Sequence, residues 1–258
     1  MAVINGEPYL WRQIAAKIRE DITSGQYKDG DPYLTGAEIA ERFHVSQTTT
    51  VRRAVEQITR EGLLTEGHGR RGRRVRLQKP LIFHATRTES AQRIAERRAT
   101  GVDGWMADVS EQSRTPGQGI SVAICEASPE VASRLGLHEG DPVVVRRRIR
   151  TVDGEPHNLN DTWYPETIAK GTPIMYPADV KQGTIALLED LGYVQARYTD
   201  ELTARMPTPE ESSRLRIPEG IVPVMVHYRI GYTKDGPLKL TITVWPADRA
   251  RIIYEFPA

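Results

Sequence analysis

The chain has 258 residues, 39% of them hydrophobic and 27% charged, with a formal net charge of +1. That length suits two domains better than one, and the composition is that of a folded globular protein, not a disordered or fibrous one. No apolar run approaches the roughly 18 residues of a membrane helix, and MAVINGEPYLWRQ carries no signal-peptide core; with a single cysteine, Cys125, in place of a disulfide framework, this points to the reducing cytoplasm.

In chain order, PYLWRQIAAKIREDITSGQY sets Leu10, Ile14, Ile18 and Ile22 on one face, which predicts a helix ending at Ser24-Gly25. LTGAEIAERF, residues 34 to 43, gives a second short helix with Leu34, Ile39, Ala40 and Phe43 on its apolar face. After a break at His44-Val45, a third helix is predicted over 46–61. Its stripe is Val51, Ala54, Val55 and Ile58, at i, i+3, i+4 and i+7. Ser46 is a suitable N-cap, and Gln47, Thr48, Thr49 and Thr50 form a first turn whose dipole end favours a phosphate. Thr49 and Arg53 point away from the stripe, with Thr50 and Arg52 beside them. β-Branched Thr is a mediocre helix former, so three in succession are not there for propensity.

Taken alone, such a face could be merely solvated. Two short helices joined by so tight a turn, however, form a helix-turn-helix whose second member enters the major groove by its N-terminal end. HGRRGRRVRLQ then alternates around Gly67, Gly69 and Gly72 like a hairpin and carries Arg70, Arg71, Arg73, Arg74 and Arg76. This predicts a winged helix-turn-helix with a basic wing. Residues 1–77 hold 13 Lys+Arg against 10 Asp+Glu, and the remainder 22 against 24, so the positive charge is focused in the head.

At these residues the chain resembles the N-terminal domain of the GntR family of bacterial transcription regulators, over about residues 8 to 76. The resemblance implies double-stranded DNA as partner, with Thr49, Thr50 and Arg52 matching the family's Thr-Val-Arg contact region. The usual Leu-Pro-Ser before the second helix is Tyr33-Leu34-Thr35 here, which adds Thr35 to the expected DNA contacts. The SQTTTVR segment is one residue longer than the family's, so Gln47 or Thr48 fills the slot of its reading arginine. Arg53, Arg70, Arg71 and Arg73 complete the expected interface.

A proline-containing linker is expected over 78–88, followed by a second domain over 89–258. Residues 86–99 are polar and read as a helix. From about 119 the pattern is strand, helix, strand, strand, and it then repeats. Pro129 matches Pro209, Leu135 matches Leu215 and Gly140 matches Gly220 at an offset of 80, while Trp163 and Trp245 correspond at 82. Asp153-Gly154 and Asp235-Gly236 close the two hairpins. Two copies predict an antiparallel sheet flanked by helices, an α+β domain. TIALLEDLG, 184 to 192, is a helix between them. In RRRIR, Arg146, Arg148 and Arg150 share one strand face, which either meets solvent or lines a cleft. Cys125, in the strand ISVAICEA, reads as a buried inert thiol.

This half resembles the effector-binding (UTRA) domain of the HutC subfamily, a fold shared with chorismate lyase, through Arg148-x-Arg150, Asp153-Gly154-x-Pro156, Tyr164-Pro165, Gly183-Thr184 and the terminal PADRARIIYEF. The resemblance implies a small-molecule effector held by Arg148, Arg150, Asn160 and Thr184. Tyr228, at the place equivalent to Arg148 in the second copy, is added to that set. The family's acidic ligand contact is Asn160 here, so an anionic ligand fits better than an amino-sugar. The six histidines show no HxxxH or HExxH spacing, and there is no Cys pair, GxSxG elbow or Walker loop. No metal, cofactor or catalytic residue is expected. The implied protein is a homodimeric regulator on a near-palindromic operator, most simply a repressor; the alternative is an enzyme of chorismate-lyase-like fold tethered to a DNA-binding head.

Overall fold

The computed structural model describes residues 7–45, 49–65, 72–77, 80–217 and 222–256, the side chains of residues 7–9 excepted. The chain divides into two units, Met1–Lys79 and Pro80–Ala258.

The first unit contains α1 (Glu7–Thr23), α2 (Gly36–Arg42) and α3 (Thr49–Arg60). Their apolar stripes meet in one core: Ile14, Ile18 and Ile22 from α1, Ile39 from α2, and Val51, Ala54, Val55 and Ile58 from α3. Burying each of these Ile and Val side chains stabilises the head by roughly 1.5–3 kcal/mol. Leu10, expected on the same stripe, is instead exposed at 37%. Polar clamps fix the helices: Arg42 Nη1 donates to the buried Asp21 at 2.5 Å, and Arg19 grips Glu61 at 2.6 and 2.8 Å. His44, in the turn before α3, adopts a left-handed φ of 52°. Leu64 bridges Val75 and Pro32 bridges Arg74, both antiparallel, which forms the base of the wing.

The second unit begins with β1 (Leu81–His84), α4 (Ala91–Thr100) and α5 (Gly104–Glu111). Then come β2 (Pro116–Glu126), α6 (Pro129–Leu135), β3 (Pro142–Val152), β4 (Glu155–Pro165), α7 (Glu166–Ala169) and a 3-10 turn at Pro173–Met175. The rest is α8 (Thr184–Asp190), β5 (Arg197–Arg205), α9 (Pro209–Leu215), β6 (Val224–Tyr232), β7 (Pro237–Pro246) and β8 (Ala250–Ile253). Residues 81–84, expected within a linker, thus form a strand: β1 pairs in parallel with β8, from Leu81–Ala250 to His84–Ile253.

The remaining strands form one antiparallel sheet in the order β2-β3-β4-β7-β6-β5. The repeat is visible in this order, with β4 and β7 at the centre and a local dyad through the Asp161–Ile242 pair. Asn160 faces Thr243 on one side of it, and Thr162 faces Thr241 on the other. The helices correspond at the offset of 80, but the segment from Leu215 to Pro223 is one residue longer than that from Leu135 to Pro142. The pairs Val143–Pro165 and Val224–Pro246 therefore correspond. Arg148 is matched by Arg229, not Tyr228, and Trp245 by Tyr164, not Trp163.

Strand alternation gives the sheet two unlike faces. One is apolar and packs under α6 and α9, where Val131, Leu135 and Leu215 meet Val143, Val226, Ile230 and Leu240. The other carries a polar centre, with Val144 and Tyr164 beside it packed on Ile174, Val180, Leu187 and Leu188.

Candidate functional site

In the head, the outer face of α3 presents Thr49, Arg52 and Arg53 as exposed residues and Thr50 as half-buried. Arg52 lies 3.5 Å from Glu56, one helical turn on, and remains 71% exposed. Such a pair is worth little in water, so the guanidinium stays available. Thr35 is exposed but also caps α2: its hydroxyl accepts from Glu38 N at 3.3 Å while its own N–H donates to the Glu38 carboxylate at 2.7 Å. Arg73 is half-buried beside the wing bridge, and its carbonyl accepts from Tyr33 N at 2.9 Å. Ser46, Gln47, Thr48, Arg70 and Arg71 lie outside the described residues.

In the second unit, the polar sheet face floors a cavity of about 160 Å³. Its walls come from β1, α4, α5 and the chain leading into α8, and its floor includes Arg148, Asn160, Thr162, Thr241 and Thr243. Arg148 is 8% exposed, yet its Nη1 makes only long contacts, 3.4 Å to Asn160 Oδ1 and 3.3 Å to Thr162 Oγ1. Among the described residues it has no carboxylate in ion-pair contact. Asn160 is itself oriented, with Nδ2 donating to Thr243 Oγ1 at 2.8 Å.

Arg150 lies against Trp105, 5.2 Å from the ring centroid, and 3.9 Å from Asp103. Burial pushes its pKa down to about 10 despite Asp103, with Arg148 and Arg97 adding to the repulsion. Asp103 caps α5 and also binds Arg97. Burial raises its pKa, but Arg150 and then Arg97 outweigh that and hold the carboxyl below its usual range. The Nε atoms of Arg97 and Arg150 and the Trp105 indole N–H, all buried, find no hydrogen-bond acceptor among the described residues. Three buried donors of the wall are thus left without an acceptor among the described residues.

The face shared by Arg146, Arg148 and Arg150 is as the strand period implies, but their roles differ. Arg146 is fully buried and directs its guanidinium to the carbonyls of Ile174, Tyr176 and Ala178. Thr184 lines the cavity at the start of α8. Tyr228 does not. It lies on the opposite sheet face, under Arg134 at 3.8 Å from the ring centroid, because the extra residue before β6 moves it out of register with Arg148. Arg97, Asp103 and Trp105 were missed by sequence reasoning, since a polar segment before the first repeat resembles an ordinary surface helix. Arg229 and Thr243 carried a signal: both fall on the polar parity of the second repeat once the one-residue shift is allowed.

Residues 112–251 match the UTRA domain, and residues 10–75 match "Bacterial regulatory proteins, gntR family". The chain belongs to the GntR family. Within it, the UTRA domain fits the HutC subfamily. This GntR regulator is 30% identical over 256 residues to an uncharacterised HTH-type transcriptional regulator of Streptomyces coelicolor, covering 95% of this chain and 92% of that one. It is 27% identical over 233 residues to the mannosyl-D-glycerate transport/metabolism system repressor MngR of Escherichia coli, at 90% and 88% coverage. The fold is that of PhnF from Mycobacterium smegmatis, with a TM-score of 0.57, 21% identity and coverage of 95% and 99%. The protein is an α+β, DNA-binding transcription regulator that responds to a small-molecule ligand. Among the described residues, no helix is long and apolar enough to cross a membrane.

Proposed function

We propose that this GntR regulator is a cytoplasmic homodimeric repressor that leaves a near-palindromic double-stranded operator when a small anionic effector binds the sheet-floored cavity. On this reading α3 enters the major groove by its N-terminal end, with Thr35, Gln47, Thr48, Thr49, Thr50, Arg52 and Arg53 at the DNA. Arg70, Arg71 and Arg73 approach it from the wing. The effector is held by Arg148, Arg150, Asn160 and Thr184, and no step is catalytic. The repressor sense is supported by MngR, which is named a repressor.

One observation carries the effector site: Arg148 is buried in a cavity with two 3.3–3.4 Å polar contacts and, among the described residues, no carboxylate in ion-pair contact. A buried cation without an anion is costly, and an anionic ligand relieves that cost. Arg148→Ala should therefore leave operator binding intact in a mobility-shift assay and abolish release by the effector, giving a super-repressor in cells. Normal release accompanied by weakened folding would make Arg148 a structural residue and move the ligand elsewhere.

A further inference from the structure

The dyad that relates the two halves of the sheet also relates two sets of charges on its polar face. Arg229, the counterpart of Arg148, donates to both oxygens of Asp200 at 2.7 and 2.6 Å and to the Ala85 carbonyl at 2.7 Å. The counterpart of Arg150 is Gly231. There the cation comes from the neighbouring strand instead: Lys239, paired with Gly231, runs its stem so close that a Cβ on Gly231 would lie 3.2 Å from Lys239 Cε. Lys239 Nζ donates to Glu89 Oε1 at 2.7 Å, and Gln195 Nε2 donates to Glu89 Oε2 at 2.7 Å. Glu89 and Lys239 are both buried, and both line the cavity that holds Arg148.

The second half thus contains two cations and two carboxylates in contact with them. The first half contains Arg148 and Arg150. Among the described residues the one carboxylate in ion-pair contact with either is Asp103, 3.9 Å from Arg150 and already bound to Arg97, while Asp108 and Asp179 on the same wall pair with Arg93 and Arg97. It is one anion short.

We infer that Glu89 is a built-in anion, which closes the second half of the cavity as a ligand closes the first and so limits the cavity to one anionic group. Glu89 is then a specificity-determining residue. A ligand with a second anionic head would have to place it against Glu89, and that like-charge contact rejects it. The inference rests on the proposed effector role of Arg148.

Thermal unfolding of the full chain with formate and with succinate tests it. Formate is titrated against wild type, Arg148→Ala, and Arg148→Ala combined with Glu89→Ala. The double variant should gain a formate-dependent rise in its midpoint, because formate refills the hole beside Lys239 and Gln195, while Arg148→Ala alone shows none. Equal responses of these two variants would overturn the inference. Wild type responding no more than Arg148→Ala would instead count against the Arg148 site, so the two failures are separable. Should the double variant not fold, Glu89→Gln keeps the shape and removes the charge. It should be stabilised more by succinate than by propionate, whereas wild type should show no such preference. A wild type that prefers succinate, or a Glu89→Gln variant that does not, would also overturn the inference.

Discussion

Arg146→Met separates the two roles that arginines take on the same strand face. Met preserves most of the stem volume but removes the donors to the Ile174, Tyr176 and Ala178 carbonyls, at 2.7, 2.6 and 2.8 Å. An orphaned buried carbonyl costs about 1–3 kcal/mol. Tyr176 and Ala178 are both exposed, so water can reach their carbonyls, which leaves one orphan, the carbonyl of the buried Ile174. Against that, burial pushes the Arg146 guanidinium pKa down, with Arg148 adding repulsion, and losing a buried charge returns part of the cost. The net loss should be roughly 1–3 kcal/mol, which for a unit of this size lowers the unfolding midpoint by about 2–12 °C. Calorimetry of the full chain reads this in the transition of the second unit. The segment after the 3-10 turn leads to Asp179 and Val180 on the cavity wall, so effector affinity should fall in parallel. A loss below about 1 kcal/mol would refute this reasoning. Lost effector release with unchanged stability would make Arg146 a ligand contact.

Arg52→Ala should leave stability unchanged and weaken operator binding by about 1–3 kcal/mol if the side chain reads a base; an equal loss on scrambled DNA in the same mobility-shift series would make it a phosphate clamp. Replacing Arg70, Arg71 and Arg73 by Ala should flatten the salt dependence of binding by about one unit of slope for each phosphate no longer neutralised, and an unchanged slope would remove the wing from the interface. His157 is buried, donates through Nε2 to the Arg249 carbonyl at 2.9 Å and accepts at Nδ1 from Asn158. Burial, with Arg249 and other cations nearby, lowers its pKa to about 4. The unfolded chain therefore takes up this proton first, near pH 6.5, and stability falls as the pH drops from there through 4, by up to about 3 kcal/mol. His157→Gln should lose that slope in pH-dependent unfolding, and retaining it would assign the titration to another group.

The helices of the head were legible because their cores are local: Ile14, Ile18, Ile22, Val51, Val55 and Ile58 declare themselves by spacing alone. The shared face of Arg146, Arg148 and Arg150 follows from the strand period in the same way. Which of the three is left for a ligand did not follow, because the carbonyls that occupy Arg146 come from residues 174–178, on a separate turn. The sequence LIFH read as linker because its partner strand is parallel and lies at the other end of the unit, so no hairpin signal marks it. Tyr228 was misplaced by one residue, and in a strand one residue changes the face. Arg97, Asp103 and Trp105 lie on α4, α5 and their junction, where polar composition conceals a wall that exists only once the sheet is beneath it.

The β1–β8 pair is a two-stranded sheet separate from the six-stranded one. Phe83 of β1 stands 5.5 Å from Trp245, and both rings line the cavity. An occupant of the cavity would therefore touch two separate sheets, the large one beneath it and β1 at its side. Four residue pairs hold β1, so it can shift without disturbing any register of the large sheet. β1 is also the first strand after the boundary with the DNA-binding head. The large sheet carries the proposed ligand contacts, and β1, held by four pairs, is the strand that the chain ties to the DNA-binding head.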